Sequence, residues 1–155
     1  MNTYQGVVVR AGPDGELQNV PPPQGNPHTA FWVFDVVPQA LYWGPRFYHE
    51  RYGLPIYVTE NGLSLNDWVS LDGRAEDPQR IDFLRRYLRE LRRAAGDGVD
   101  VRGYFYWSLL DNFEWAEGYR ERFGLVHIDY ATQKRTPKSS FEWYRQMIRD
   151  NGANL

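Results

Sequence analysis

The sequence of 155 residues contains no cysteine, and this absence excludes disulfide cross-links, thiolate metal ligands and a cysteine nucleophile. The charges are nearly balanced, since 18 basic and 20 acidic residues leave a net charge of -2. This balance gives no indication of binding to nucleic acid or to an anionic membrane. No run approaches the roughly 20 apolar residues of a membrane span, and the first residues lack the basic and apolar regions of a signal peptide. We therefore expect one globular domain in the cytoplasm.

Several kinds of functional motif are absent as well. His28, His49 and His127 lie far apart in the sequence and lack the spacing of metal ligands. No glycine-rich phosphate loop and no Gly-x-Ser-x-Gly elbow occurs. Ser108 and Asp111 have no histidine near them in sequence, so a hydrolytic triad has little support. What the chain has in excess is aromatic residues, at 16%, which indicates a large core or a ligand that stacks on rings.

The order of predicted elements indicates an α/β fold. Apolar spacing predicts helices at residues 77–96 and 136–150 and a third at 38–52 that is disturbed at Gly44 and Pro45. Apolar stretches predict strands at 6–10, 55–59 and 101–107, and the last two are continuous enough for parallel strands covered on both faces. Residues 11–29 are rich in Pro, Gly and polar side chains, which predicts a long surface loop. Ligands of such folds bind at the carboxyl ends of the strands.

A residue with a carboxylate side chain directly follows the predicted strand at 55–59. Glu60 follows it directly and precedes Asn61 and Gly62. A carboxylate held there by a tight turn could serve as a nucleophile or a general base. The alternative is an ordinary Asn-Gly turn in which Glu60 only faces water.

The strand at 101–107 is followed by alternating rings and polar groups. Trp107 and Trp115 flank a stretch that includes Asp111, Asn112 and Glu114. Rings stack on the apolar face of a pyranose while carboxylates accept its hydroxyls, so this pattern favours a sugar site. The alternative makes the tryptophans core anchors and Glu114 a solvated loop charge.

These motifs resemble those of the family 1 glycoside hydrolases, the β-glucosidase group. Residues 57–62 (YVTENG) and 107–115 (WSLLDNFEW) are similar to the two C-terminal signatures of that family, and 122–125 (RFGL) and 135–138 (RTPK) also match. The opening Asn2-Thr3-Tyr4 resembles the motif that ends the family's sixth strand, although Thr3 stands where an aromatic residue is common. The resemblance implies a (β/α)8 TIM barrel, a retaining β-glycosidase activity on a β-glucoside or short β-linked oligosaccharide, and no cofactor.

The resemblance also implies roles for individual residues. Glu60 would be the nucleophile, and Tyr4 would hydrogen-bond its carboxylate. The remaining implied sugar contacts are Asn2 near the 2-hydroxyl, Trp107 as the glycone floor, Glu114 and Trp115 on the distal hydroxyls, and Phe123 at the rim, with Phe34 near the aglycone side. Residue chemistry alone would instead pair Glu60 with Glu114 as nucleophile and acid, whereas the resemblance assigns Glu114 to sugar hydroxyls. It also places residues 6–10 just past the sixth strand, in an extension of the loop.

The chain is too short for the barrel that the resemblance implies, which takes about 250 residues. We expect residues 1–155 to form its C-terminal part, from the end of strand six to the final helix, as about three strand–helix units that leave strand edges and an apolar face open.

Retaining hydrolysis also needs an acid about 5 to 5.5 Å from the nucleophile. The family takes it from an Asn-Glu-Pro triplet, and no glutamate in this sequence precedes proline. The chain alone is therefore expected to be inactive, and to self-associate or to depend on an N-terminal barrel segment.

Two other functions compete with that one. The chain could be a sugar-binding module or relic that uses Trp107, Glu114 and Trp115 without cleaving its ligand. It could also be a hydrolase that acts unaided through Glu60 and Glu114, which the length and the missing triplet disfavour.

Overall fold

The computed structural model describes residues 1–31 and 34–155. In order along this part of the chain, the elements are β1 (Val9–Ala11), β2 (Leu17–Asn19), α1 (Ala40–Tyr52), β3 (Ile56–Asn61), α2 (Pro78–Gly96), β4 (Val101–Tyr106), a 3-10 turn (Trp115–Glu117), β5 (Val126–Ile128), β6 (Arg135–Pro137) and α3 (Ser139–Arg149). Among the helices described, none combines the length and the apolar character that crossing a bilayer requires.

The central unit of the fold consists of two parallel strands and the helix between them. β3 and β4 pair in parallel, and α2 connects them as a crossover. One face of α2 is buried because its apolar residues recur with helical spacing. That face, together with Leu41 of α1 and Val58 of β3, forms the main core, whose buried members on α2 are Phe83, Leu84, Tyr87, Leu88 and Leu91.

The first residues of the chain lie beside β3 and extend the parallel sheet. The ammonium of Met1 donates to the Tyr57 carbonyl at 2.7 Å, and the Thr59 amide donates to the Met1 carbonyl at 2.9 Å. Asn2 forms a parallel bridge with Glu60. Three neighbouring segments therefore run in the same direction and end at the same edge, which is where the sequence predicted the site.

The predicted strand at residues 6–10 is wrong as a member of the parallel sheet. β1 instead pairs antiparallel with β2 in an exposed hairpin, where Val9 lies opposite Asn19. The hairpin lies within the loop that leads to α1, as the resemblance implied. Local apolar character identified an extended segment here, but its partner is another part of the same loop.

Two helices differ from their predicted form. α1 continues through Gly44 and Pro45 as one helix, although Pro45 has no amide hydrogen to donate to the Leu41 carbonyl. α3 begins at Ser139 rather than at Thr136, because residues 135–137 are taken up as β6 by pairing with β5.

The apolar runs of β3 and β4 alone predicted strands covered on both faces, whereas the length of the chain predicted an open apolar face, and the structure has an open face. One face packs on the helices, but the other, which we call the open face, carries Tyr57, Gly103 and Phe105. Tyr57 is 47% exposed and Phe105 is 58% exposed. The chain forms an α/β part of a barrel, and the described strands do not close on one another.

Candidate active site

Glu60 lies near the carboxyl end of β3, where the neighbouring segment at the start of the chain holds it. The Tyr4 hydroxyl donates a hydrogen bond to Oε2 of Glu60 at 2.7 Å, and the Thr3 amide donates to its backbone carbonyl at 2.9 Å. Burial raises the pKa of Tyr4 far above its ordinary value, and the hydrogen bond to Glu60 adds to the shift. Tyr4 therefore stays protonated and remains a donor to the carboxylate.

The turn after Glu60 is buried, which a simple surface turn would not be. The Asn61 side chain donates to the Thr3 carbonyl at 2.7 Å and accepts from the Tyr104 hydroxyl at 2.8 Å. At Gly62, an added Cβ would lie 1.9 Å from the Trp107 carbonyl oxygen. Only glycine allows this approach, so the Asn-Gly pair joins the ends of β3 and β4.

The second carboxylate of the site is Glu114, and the Trp107 side chain donates a hydrogen bond to it. Burial is the main factor that raises the pKa of Glu114, and repulsion from the carboxylates of Glu121 and Glu60 raises it further. The hydrogen bond from Trp107 works in the opposite direction. Glu114 and Glu60 thus lie near enough to interact electrostatically.

Both carboxylates line one cavity of about 340 Å³. Its walls are largely aromatic, and its full lining is Tyr4, Thr29, Phe31, Phe34, Glu60, Gly62, Trp107, Glu114, Trp115 and Phe123. The Phe123 ring meets Tyr4 edge-on at a centroid distance of 6.4 Å and Phe31 at 5.8 Å. Trp115 is 81% exposed, so the cavity is open on that side.

The structure brings together every residue that the sequence pointed to except Asn2. The Asn2 side chain accepts a hydrogen bond from the Thr59 hydroxyl at 2.5 Å and lies outside the lining of this cavity. It lines a neighbouring cleft of about 1040 Å³ between residues 2–9 and α1.

Sequence reasoning missed Thr29 and Phe31. The Phe31 amide donates to the Ser64 hydroxyl at 2.7 Å, and the Thr29 hydroxyl donates to the Phe31 carbonyl at 2.6 Å. These bonds attach the end of the long loop to the residues after β3. A signal for them was the cluster of aromatic residues that interrupts an otherwise polar, proline-rich loop.

This arrangement suits a reaction at a sugar carbon. A carboxylate oriented by a hydroxyl can attack a carbon that carries a leaving group. Indoles beside a second carboxylate provide an apolar floor and an acceptor for hydroxyls. The lining described for this cavity holds two carboxylates and no third acid.

Comparisons with known proteins agree on one family. Residues 5–153 match the model of glycosyl hydrolase family 1. The chain is 44% identical to β-glucosidase A of Thermotoga maritima over 153 residues, which are 98% of this chain and 34% of that protein. It is 49% identical over 137 residues to a bifunctional β-D-glucosidase/β-D-fucosidase of Bifidobacterium breve, covering 84% of this chain and 29% of that one.

Solved structures give the same picture. The chain matches the Thermotoga maritima β-glucosidase in complex with castanospermine with a TM-score of 0.85 and 44% identity, covering 97% of this chain and 34% of that one. The chain therefore spans about a third of the length of these relatives, and its fold corresponds to part of a TIM barrel.

Proposed function

Because the chain belongs to glycosyl hydrolase family 1, we propose that it supplies the nucleophile and the glycone floor of a retaining β-glycosidase of the β-glucosidase type. The observation that carries this proposal is the hydrogen bond of 2.7 Å between Tyr4 and Glu60 inside a cavity shared with Trp107 and Glu114. In this proposal residues 1–155 are the last three strand–helix units of the barrel.

Glu60 attacks the anomeric carbon of a terminal β-D-glucosyl residue. A bond forms between a carboxylate oxygen and that carbon while the bond to the aglycone oxygen breaks, and an acid protonates the departing oxygen. Water then attacks the same carbon, gives its proton to the group that acted as acid, and releases the sugar and Glu60. Tyr4 keeps the carboxylate aligned for the attack.

The sugar is held by the remaining groups of the cavity. Trp107 stacks under the pyranose, and Glu114 and Trp115 take the distal hydroxyls. Phe123 forms the rim and Phe34 the aglycone side, where Phe31 extends the aromatic wall. Asn2 contributes less directly in this geometry, because its side chain is bonded to Thr59.

The acid comes from a segment that this sequence does not contain. In the family it is the glutamate of an Asn-Glu-Pro triplet, and we propose that the missing strand–helix units carry it to within about 5 to 5.5 Å of Glu60. Two surfaces are available to receive those units. The open face exposes Tyr57 and Phe105, and the cleft of about 1040 Å³ beside α1 exposes Val7 and Trp43.

The test is complementation. The chain is mixed with the part of the Thermotoga maritima β-glucosidase that it does not match, which we call the acid-bearing segment, and hydrolysis of 4-nitrophenyl β-D-glucoside is followed. We expect negligible turnover by either part alone and turnover by the mixture. Glu60→Gln should abolish that turnover, since removing a covalent nucleophile costs several orders of magnitude in rate.

A matched control is Glu16→Gln, which neutralises an exposed glutamate in the β1–β2 hairpin. It should leave the turnover of the mixture unchanged. With an activated 2-fluoroglucoside, the parent mixture should accumulate a glycosylated peptide that contains Glu60. Undiminished turnover by the Glu60→Gln mixture would overturn the assignment, and brisk turnover by the chain alone would overturn the need for a second segment.

A non-catalytic role in sugar binding is the second candidate, because the described lining of the cavity holds aromatic rings and, besides Glu60, only the carboxyl group that the proposal assigns to sugar hydroxyls. Tryptophan fluorescence of the chain titrated with glucose distinguishes the two. Tight binding without turnover in the mixture would favour a binding module, whereas an incomplete catalytic pocket should bind glucose weakly. We place the protein in the cytoplasm as part of the same proposal, and cell fractionation tests this.

A further inference from the structure

A largely buried group of six charged side chains takes no part in the proposed chemistry. It contains three cations and three carboxylates, and we call it the charge cluster: Asp67, Asp77, Arg80, Asp111, Arg122 and Lys138. Arg80 is fully buried and Lys138 is 1% exposed. Since burying unpaired charges is costly, this balance is what allows the cluster to exist inside the protein.

Lys138 joins two separate loops within the cluster. Its Nζ donates to Asp67 Oδ2 at 2.6 Å and to Asp111 Oδ1 at 2.9 Å. Asp67 follows β3, and Asp111 follows β4. Arg80, in the first turn of α2, also donates to Asp67 at 2.7 Å. The loops that leave the two parallel strands are therefore fixed to each other and to the starts of α2 and α3.

Asp111 lies within the segment that carries the sugar-binding residues, and its carboxylate is saturated with donors. Besides Lys138, Arg122 donates at 2.7 Å, and the Gly124 amide donates at 2.9 Å. The Ile128 amide adds a longer contact of 3.4 Å. Asp111 thus binds the far end of its own loop and closes residues 111–124 at their base.

The tip of this loop is held much less firmly. Glu114 and Trp115 lie there, and Trp115 is 81% exposed. The tip has its own bonds, from the Glu114 amide to the Gly118 carbonyl at 2.6 Å and from the Gly118 amide to the Trp115 carbonyl at 3.1 Å. Outside these bonds, the tip is held by the hydrogen bond that Glu114 accepts from the Trp107 side chain and by its connection to the base.

The base is also attached to the rim of the cavity. Arg80 donates to the Arg122 carbonyl at 2.9 Å, and the Tyr106 hydroxyl donates to the Phe123 carbonyl at 3.0 Å. A shift of the base would therefore move the Phe123 rim together with the tip.

We propose that Asp111 and Lys138 are positioning residues that hold Glu114 and Trp115 at the glycone, acting through the closed base of the 111–124 loop. The proposal rests on the proposed function for the role of the tip, but the coupling between cluster and tip is a physical property of the chain. The two are tested by different measurements.

The first measurement is amide hydrogen exchange in the full chain. In Lys138→Met, which keeps the length of the side chain without its charge, we expect the hydrogen-bonded amides of Glu114, Glu117 and Gly118 to exchange at least tenfold faster while the buried amides of α2 change little. Lys138→Arg should restore much of the protection, because it keeps a cation between the two carboxylates. Arg86→Met, which breaks an exposed ion pair with Asp82, should change neither region.

The second variant is Asp111→Asn, which keeps an oxygen for the Gly124 amide and removes the charge. It should give the same local loss of protection as Lys138→Met. If the tip keeps its protection in both variants, or if α2 loses protection together with the tip in both, the cluster only supports the fold and the proposal is overturned.

The third measurement is kinetic and uses the mixture with the acid-bearing segment. Positioning of the glycone predicts that Lys138→Met raises KM at least tenfold, that Lys138→Arg largely reverses this, and that the pH profile of kcat keeps its shape. A faster-exchanging tip with an unchanged KM would overturn the role at the sugar. An inactive parent mixture with a faster-exchanging tip would count against the proposed function and support the coupling.

Discussion

Glu114 is proposed to bind sugar hydroxyls from a partly buried position. Its protonation should show how much burial of its charge costs in stability. Burial raises the pKa of this carboxyl, so the folded state holds a proton at pH values where the unfolded chain has already released it. Stability must therefore fall as pH rises through this window. The charge costs stability at neutral pH, and we attribute its retention to the hydroxyls it binds.

The raised pKa of Glu114 predicts how Glu114→Gln changes stability. The variant should be more stable than the parent at neutral pH, and the difference should vanish below the pKa of an ordinary glutamate, where both states of the parent are protonated. Urea unfolding at the two pH values measures this. Glu50→Gln, at an exposed ion pair of α1, is the control and should show no such gain. A Glu114→Gln chain that is less stable than the parent at neutral pH would contradict the sign.

Most residues of the cavity could be identified from the sequence because they lie in two long motifs. Glu60, Trp107, Glu114 and Trp115 follow strands whose apolar runs are visible locally. Phe31 was not identified, since its place is fixed by Ser64, which is 33 positions away. Contacts of that kind leave no local pattern.

Among the elements, α2 was predicted within one residue of its observed start because all its signals are local. Pro78 occupies the first turn, the apolar stripe is continuous, and the helix ends at Gly96. The start of α3 could not be found in this way. Asp77 accepts hydrogen bonds from the Ser140 amide at 2.8 Å and from its hydroxyl at 2.6 Å, so the first turn of α3 is capped by a residue that precedes α2.

Gly124 allows the two ends of the 111–124 loop to meet. At Gly124 an added Cβ would lie 2.2 Å from the Asp111 amide nitrogen, so Gly124→Ala must push the two ends of the loop apart. We expect a loss of at least about 2 kcal/mol in the free energy of unfolding, measured by urea titration. Sugar binding by the mixture should weaken as well.

Gly96→Ala is the matched control for this substitution. Among the described residues, no atom outside the neighbouring backbone of α2 lies within 4 Å of a Cβ added at Gly96, at the end of α2, and alanine favours the helix. The variant should be as stable as the parent or more so, by up to about 1 kcal/mol. Equal effects of the two substitutions would show that the approach of Gly124 to Asp111 does not constrain the loop.

For the molecule as a whole, the open face is the dominant feature. β3 and β4 are covered by helices on one side and leave Tyr57 and Phe105 exposed on the other. The apolar runs predicted two covered faces because such runs indicate that a strand is buried. They do not indicate whether the residues that bury it belong to the same chain. The runs are thus consistent with the proposal that the acid-bearing segment covers this face.

The last prediction follows from that exposure. Exposed rings on a sheet face promote association, so the chain alone should form oligomers whose population rises with concentration in sedimentation experiments. Replacing both rings, as Tyr57→Ser with Phe105→Ser, should weaken association about tenfold or more, because two half-exposed aromatic side chains contribute about 2 kcal/mol together when they become covered. Leu71→Ser, at a fully exposed residue in a turn, should have no such effect.

The double variant should also need a higher concentration of acid-bearing segment to reach half-maximal turnover, since the proposal places self-association and binding of that segment on one surface. If its association falls while its complementation is unchanged, the acid-bearing segment binds elsewhere, and the cleft beside Trp43 becomes the surface to alter.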